Sequence, residues 1–318
     1  MEDYRIPEQT TIGWAALRVA DIPASLAFYE DVVGLLPASR PHIPSGLDGQ
    51  PGVAMAVDRA SAPILYLTAD PRARSRPERT SGLYHTAIRY PSPAGLAQAL
   101  RRMAVQHNPL GGAADHGVSE ALYTSDPDGN GVELYADRPR SSWTRENGHV
   151  AMVTEQLDLD GLLELVQGKP AEQAAPQGTV IGHMHLQVAD LARSRAFYHG
   201  LLGLDVTQES YPGALFLSAG GYHHHIGLNV WTSRGAPPPP EGSLGLAAYS
   251  IRLPDETSWQ ELIGRAEVSG TPVERGELDG KPIAFLSDPD GMRVALVFSQ
   301  SPATVENRAA APADRARR

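Results

Sequence analysis

Hydrophobic and polar residues follow two different periods along the chain, most clearly from Ile181 to Leu204 (IGHMHLQVADLARSRAFYHGLLGL). The first half of this stretch alternates as a strand does, and the second half repeats apolar residues at helical spacing until a glycine ends the run. Nearly the same pattern occurs earlier, from Ile12 to Leu35 (IGWAALRVADIPASLAFYEDVVGL). The two copies differ most at one position, where His183 replaces Trp14.

A second pair of similar segments follows these two. Gly82–Pro91 (GLYHTAIRYP) matches Gly245–Pro254 (GLAAYSIRLP), and SDPDGNGVELY from Ser125 matches SDPDGMRVALV from Ser287. Each region predicts a strand, a helix and further strands, with Asp-Pro-Asp-Gly as a tight turn before the last strand. The helices are expected at 93–106 and 257–269. The chain therefore contains four strand-helix-strand-strand-strand modules, at about 12–70, 82–136, 181–231 and 245–298.

Modules of this size cannot bury both faces of a sheet alone. We therefore predict an α+β fold in which four βαβββ modules pair into two cupped, mixed-sheet barrels with helices outside. Residues 1–137 hold modules one and two, 138–180 form a linker with a short amphipathic helix (LDLDGLLELV), and 181–300 hold modules three and four. Residues 301–318 are rich in Ala, Pro and Arg and are expected to be a disordered tail.

Composition narrows the classes of function. The chain has 318 residues and a formal net charge of -10, which argues against nucleic acid or an anionic membrane as a partner. It has no cysteine, so a metal could be bound only by His, Asp or Glu. No apolar run is long enough for a membrane span, and the first residues (MEDYRIPEQT) do not resemble a signal peptide. We expect a cytoplasmic protein with a small-molecule ligand.

Polar residues are distributed unevenly over the modules. Module two has His85 on its first strand and Glu133 on its last, and module three has His183 on its first strand. The corresponding positions in modules one and four hold Trp14, Ala248 and Ala295. A single strand histidine is more often a buried residue with a satisfied hydrogen bond, but equivalent placement in repeated modules favours a metal site on His85, Glu133 and His183. Two imidazoles and one carboxylate suit Fe(II) or Mn(II) and leave open coordination positions.

The ligand set also bears on how the modules pair. Pairing module two with three, and one with four, gathers all three residues in one cup, so we expect this crossed pairing. His185 shares the strand face of His183 and is expected to line the cleft. His223, His224 and His225 are expected on the last strand of module three, where His224 would face opposite to its two neighbours.

Several motifs together resemble one family: GLYHTAIRYP, SEALYTSDPDGNGVELYADRPR, IGHMHLQVAD and FLSAGGYHHHIGLNVW. They are similar to the vicinal oxygen chelate superfamily (glyoxalase, bleomycin resistance and extradiol dioxygenase proteins), and within it to the catechol 2,3-dioxygenase family, over about 12–298. The resemblance implies that His85, His183 and Glu133 bind Fe(II), with Mn(II) as the alternative. It implies further that His224 is an acid/base, that Tyr123 hydrogen-bonds a substrate oxygen, and that His116 contacts the substrate.

The implied function is extradiol ring cleavage of a catechol-type aromatic diol by dioxygen, in a homo-oligomer. Three alternatives stay open. The first is cleavage of a hydroquinone, and the second is a glyoxalase-like isomerase or lyase, which would need a fourth protein ligand such as His225. The third is a metal-free small-molecule binding protein, a class that normally lacks the three ligands. One departure from the best-known extradiol proteins is that the middle modules, not the last two, carry the expected site.

Overall fold

The computed structural model describes residues 4–39, 43–44, 47, 52–146 and 149–299, so the expected disordered tail at 301–318 lies outside the described residues. Within these residues the strands are, in chain order, β1 (Thr11–Val19), β2 (Leu36–Pro37), β3 (Gly52–Ala56), β4 (Leu65–Ala69), β5 (Gly82–Tyr90), β6 (Gly112–Asp115), β7 (Ser119–Ser125), β8 (Gly131–Asp137), β9 (Arg145–Glu146), β10 (His149–Val150), β11 (Val180–Gln187), β12 (Asp205–Gln208), β13 (Ala214–Ser218), β14 (Ile226–Asn229), β15 (Gly245–Leu253), β16 (Glu274–Leu278), β17 (Lys281–Ser287) and β18 (Arg293–Phe298).

The helices lie where the helical periods predict them. In chain order they are α1 (Ile22–Phe28), α2 (Pro93–Val105), α3 (Leu159–Glu164), α4 (Leu191–Arg195) and α5 (Glu256–Val268). Helices α1 and α4 continue as π-helical turns over Tyr29–Val33 and Ala196–Leu201, and a 3₁₀ turn covers Arg140–Ser142. Among the described residues, every helix is too short or too polar to cross a lipid bilayer.

The long strands form two mixed sheets of eight strands each. One has the order β16-β17-β18-β15-β1-β4-β3-β2 and consists of modules one and four, and the other has the order β12-β13-β14-β11-β5-β8-β7-β6 and consists of modules three and two. In each module the first strand runs parallel to the last, whereas the antiparallel pairs β1–β15 and β5–β11 join different modules. The predicted α+β fold of four βαβββ modules is thereby confirmed.

Aspartates start the first helices of modules one and three. Asp21 Oδ1 accepts a hydrogen bond from the Ala24 amide at 2.9 Å, and Asp190 Oδ1 accepts two, from the Ala192 and Arg193 amides at 2.8 and 2.9 Å. Such caps satisfy amide groups that have no partner within the helix. The Ala-Asp pair in the repeated sequence therefore fixes where each helix leaves its strand.

The two faces of the sheets differ in what they bury. One apolar core includes residues of all four modules, such as Leu17, Leu134, Leu186 and Leu296. A separate apolar cluster on the sheet of modules one and four contains Trp14, Ala16, Tyr66, Ala248, Phe285 and Ala295. Trp14, Ala248 and Ala295 of this cluster correspond in the repeats to His183, His85 and Glu133 in the other sheet. One sheet is therefore apolar at the positions where the other is equipped for chemistry.

Tyrosine–aspartate hydrogen bonds join modules that are consecutive in the chain. Tyr29 Oη donates to Asp126 Oδ2 at 3.2 Å, and Tyr198 Oη donates to Asp288 Oδ2 at 3.0 Å and accepts from Tyr249 Oη at 2.9 Å. Both aspartates begin the repeated Asp-Pro-Asp-Gly turn, and burial raises the pKa of Asp288 to about 6. This repeated turn therefore has a structural role in holding each helix against the next module.

The linker at 138–180 packs along α2. Leu157, Leu162 and Val166 are buried against the apolar core, as the amphipathic pattern predicts. Gln98 Nε2 donates to the Pro170 carbonyl at 3.0 Å, and Arg102 Nη1 donates to that of Glu172 at 3.1 Å. Side chains of α2 thus satisfy carbonyl groups of a segment that has little regular structure of its own.

We predict that Tyr198→Phe lowers the free energy of unfolding by about 1–3 kcal/mol, because it leaves Asp288 Oδ2 and Tyr249 Oη buried without their partner. Urea denaturation followed by circular dichroism measures this change. Tyr211→Phe is the control, since the Tyr211 side chain is exposed and its change should be close to zero. Equal stability of the two variants would contradict the structural role of the tyrosine–aspartate pair.

Candidate metal centre

Three neighbouring strands present one row of residues at the centre of the sheet of modules two and three. Ala87 on β5 is in register with Glu133 on β8 and with His183 on β11. His85 lies two positions before Ala87 and therefore on the same face of β5. Neighbouring strands are about 4.8 Å apart, so the long side chains of Glu133 and His183 can meet above the methyl group of Ala87.

The three candidate ligands converge at this point. His85 Nε2 lies 2.9 Å from Glu133 Oε2, and His183 Nε2 lies 3.1 Å from the same oxygen. One ligand atom from each residue lies within 4.8 Å of the other two, and all three side chains are buried. Ligands about 2.1 Å from a divalent metal, on one face of an octahedron, are about 3 Å apart. The two short separations match that spacing.

Hydrogen bonding among these side chains is incomplete. His183 Nε2 is hydrogen-bonded to Glu133 Oε2, but His85 Nε2 is buried and has no hydrogen-bond partner among the described residues despite its short distance to that oxygen. His183 Nδ1 is likewise buried without a partner. Buried polar groups are rarely left unsatisfied. His85 Nε2 lies close to the Glu133 carboxylate without a hydrogen bond to it, as expected of a nitrogen that binds a metal.

Electrostatics favour the protonation states that a metal requires. Burial lowers the pKa of His183 to about 4, an effect that the Glu133 carboxylate only partly offsets. Burial alone would raise the pKa of Glu133, but the His183 and His85 imidazoles hold it well below its usual range. A neutral imidazole and an ionised carboxylate are the forms that bind metal. The donor set therefore fits a divalent cation at neutral pH.

The candidate metal site borders a cavity of about 670 Å³. His85, Glu133, His116, Tyr123 and His224 all contribute to its lining. Aromatic and other side chains complete the walls: Arg76, Tyr84, Met152, His185, Gln187, Tyr211, Phe216 and Trp231. A volume of this size accommodates a small aromatic molecule.

Tyr123 and His116 form a hydrogen-bonded pair on one wall. Tyr123 on β7 is directly opposite Glu133 on β8, and its hydroxyl lies 2.8 Å from His116 Nε2. His116 Nδ1 lies 2.7 Å from the Val153 carbonyl oxygen, which can only accept, so Nδ1 carries a proton. In neutral His116 the Nε2 atom is then an acceptor, and Tyr123 donates its O–H. Burial and the Glu133 charge raise the pKa of Tyr123 well above its usual value, so the phenol stays protonated.

His224 packs against His183, one of the three candidate ligands. Its ring centroid is 4.1 Å from that of His183, and burial lowers its pKa well below the usual value. The expectation that His223, His224 and His225 lie on a regular strand was wrong, because β14 begins at Ile226 and the three histidines form a bend before it. The side chains of His223 and His224 touch each other, Nδ1 to Nδ1 at 2.8 Å, instead of pointing to opposite faces.

The remaining histidines have other partners. His185 is in register with His85 and lines the cavity, and its Nε2 accepts a hydrogen bond from Asn229 Nδ2 at 3.1 Å. His225 Nδ1 accepts from the Ala219 amide at 3.1 Å, which closes the bend. Neither belongs to the group of three ligand candidates. Among the described residues the group thus has no fourth member, and His225 is not the fourth ligand considered from the sequence.

Sequence reasoning did not identify Asp137, which lies four positions after Glu133 on β8 and hydrogen-bonds His223. Alternation along a strand puts residues four apart on the same face, so this signal was present in the sequence. It also missed the aromatic wall of Tyr84, Phe216 and Trp231. Trp231 follows β14 and Tyr84 lies beside a strand irregularity, so neither position follows from a simple period.

The fold and the site together define a vicinal oxygen chelate protein, with repeated βαβββ modules around a buried group of two histidines and one glutamate. The chain belongs to the Glyoxalase/Bleomycin resistance protein/Dioxygenase superfamily, whose model matches residues 11–134 and 180–296. It is 43% identical over 276 residues, 86% of this chain and 93% of the relative, to catechol-2,3-dioxygenase of Bacillus subtilis (strain 168). The predicted family and enzyme class, extradiol dioxygenase, are thereby confirmed.

Solved structures show the same fold at low sequence identity. A Bacillus subtilis protein described as a candidate dioxygenase has a TM-score of 0.68 at 14% identity and covers 94% of this chain and 87% of its own. Glyoxalase I from Zea mays has a TM-score of 0.55 at 18% identity and covers 91% of this chain and 92% of its own. One fold thus carries different chemistries, so the reaction must be argued from the site.

We predict that Ala87→Leu abolishes binding of a divalent metal, because the larger side chain would fill the space between Glu133 and His183. Overpacking should also cost about 1–3 kcal/mol of stability. Anaerobic titration of purified protein with Fe(II), with metal content measured after desalting, tests this prediction. Ala104→Leu, on the exposed side of α2, should bind metal as wild type does. Normal metal binding by Ala87→Leu would contradict a site above Ala87.

Proposed function

We propose that this enzyme cleaves the ring of a catechol-type diol beside its hydroxyl groups, with Fe(II) held by His85, Glu133 and His183. The observation that carries the proposal is the convergence of two imidazoles and one carboxylate beside a cavity that is also lined by His224 and Tyr123. Such a ligand set leaves the other coordination positions open. Bound Fe(II) would supply coordination of the diol and of dioxygen, and electron transfer between them.

His224 and Tyr123 have separate tasks in this proposal. His224, with its low pKa, is neutral at pH 7 and can take a proton from a diol hydroxyl and return it later. Tyr123 donates its O–H to His116, which leaves the phenol oxygen free to accept a hydrogen bond from the substrate. His116 thus fixes the orientation of Tyr123 and borders the same cavity.

The cavity walls suit an aromatic ring. Tyr84, Trp231 and His185 form a group of ring contacts, with centroids 5.5 Å apart for Tyr84 and Trp231 and 5.0 Å for Tyr84 and His185. Phe216 contacts both His185 and His224. Aromatic side chains bind flat apolar ligands through such contacts. A planar diol with its hydroxyls toward Glu133 would have its ring against these walls.

Two alternatives receive less support. A glyoxalase-like isomerase would need a fourth protein ligand, and the described residues offer three. A metal-free binding protein would gain nothing from a buried ionised glutamate, which is costly without a partner cation. Cleavage of a hydroquinone uses the same ligands, so only substrate tests distinguish it from catechol cleavage. The homo-oligomeric state and the cytoplasmic location expected from the sequence stay predictions.

Oxygen uptake on adding catechol to iron-reconstituted enzyme tests the proposal, with methylhydroquinone measured in parallel. We expect uptake with catechol and a yellow ring-cleavage product, and loss of both in Glu133→Gln, which removes the anionic ligand. Glu164→Gln is the matched control, because Glu164 is exposed on α3. Uptake with methylhydroquinone but not with catechol would indicate that the substrate is a para-diol. No uptake with either, despite bound iron, would contradict the proposed reaction.

A further inference from the structure

A chain of hydrogen bonds leads from His224 away from the cavity. His224 Nδ1 lies 2.8 Å from His223 Nδ1, and His223 Nε2 lies 3.1 Å from Asp137 Oδ1. The His223 side chain is almost fully buried, at 1% exposure, and does not line the cavity. Asp137 and His223 therefore reach the proposed acid/base from behind, without access to a substrate.

Asp137 is held as an acceptor by several donors. Tyr222 Oη donates to it at 3.0 Å, and Arg89 Nη1 donates to Oδ2 at 3.2 Å. Burial would raise the pKa of Asp137, but the hydrogen bond from His223 and the charge of Arg89 hold it below its usual range. An ionised carboxylate only accepts hydrogen bonds. His223 must therefore carry a proton on Nε2.

The proton on His223 Nε2 determines which ring nitrogen carries a proton in His223 and then in His224. Neutral His223 with a proton on Nε2 has a lone pair on Nδ1, so the contact between the two Nδ1 atoms requires His224 to donate from its Nδ1. Neutral His224 then has its lone pair on Nε2, the nitrogen that His223 does not engage. Because His224 lines the cavity, this lone pair is the one available to a substrate.

We propose that Asp137 and His223 are positioning residues that fix the ring and the tautomer of His224, so that its Nε2 presents a lone pair to the diol. The inference rests on the proposed function of His224 as the proton acceptor. It is distinct from that function because neither positioning residue contacts the cavity. It also gives the three consecutive histidines different roles: His224 accepts the proton, His223 positions His224, and His225 closes the bend through its hydrogen bond with Ala219.

The variant Asp137→Asn distinguishes the proposed positioning role from a purely structural role of the same hydrogen bonds. Asp137→Asn keeps the size of the side chain and its capacity for hydrogen bonds. Arg89 can only donate, so the oxygen of the new amide should face Arg89 and its nitrogen should face His223. His223 Nε2 would then become an acceptor, its Nδ1 would donate, and His224 would be protonated on Nε2. The variant thus reverses the tautomer with little change in shape.

We expect Asp137→Asn to lower kcat about 10²-fold in the iron-reconstituted enzyme, with iron content and KM close to wild type. His223→Phe, which keeps a ring but has no nitrogen, should cause a similar loss. In a His224→Asn background neither change should lower kcat further, because residues that act through one group are not additive. Asp255→Asn, at the start of α5 where Asn also caps a helix, is the control with unchanged activity.

A second readout does not depend on turnover. In full-length protein labelled with ¹⁵N-histidine, nitrogen chemical shifts and long-range couplings should show His224 unprotonated on Nε2 in wild type and protonated there in Asp137→Asn. The tautomer in wild type is observable even if the proposed reaction fails, so the two failures are distinguishable. An unchanged tautomer in Asp137→Asn, or undiminished kcat in both variants, would overturn the inference.

Discussion

The antiparallel pairing of β5 with β11 is the constraint on which the site depends. His85 and Glu133 belong to module two and His183 to module three, and these candidate ligands share one face only because this pairing sets Ala87 in register with His183. A slip of one residue would turn every side chain of a strand to the opposite face. The register of two central strands thus determines whether the three candidate ligands meet.

Repetition in the sequence allowed much of the fold to be predicted. The near-identical segments around His183 and Trp14, and the paired Asp-Pro-Asp-Gly turns, gave the modules and their helices because period and turn chemistry are local properties. His85, Glu133 and His183 stood out because apolar residues occupy the same positions in the other modules. This contrast depends only on aligning one part of the chain with another.

Other parts of the site depend on three-dimensional packing that no local period encodes. The bend at His223, His224 and His225 is closed by a hydrogen bond from Ala219 to His225, so the alternation expected of a strand did not hold there. Asp137 and His223 come from different modules and meet only through the shared sheet. Alternation along β8 does place Asp137 on the face of Glu133, but its contact with His223 cannot be inferred from local spacing, because the two residues are 86 positions apart.

The two sheets divide stability and chemistry between them. Trp14, Ala248 and Ala295 are buried in an apolar cluster, whereas their counterparts bury two imidazoles and a carboxylate. Burying ionisable groups costs free energy unless they are paired, and a bound cation would supply the missing partner. The apolar sheet and the common core stabilise the fold and so offset the free-energy cost of burying these ionisable groups.

Cleavage under ¹⁸O₂ tests the central claim most directly. If the site performs extradiol cleavage, mass spectrometry of the ring-opened product of catechol should show both ¹⁸O atoms in one molecule of the semialdehyde. A product that carries no ¹⁸O, or a dicarboxylic acid from cleavage between the hydroxyls, would contradict the account.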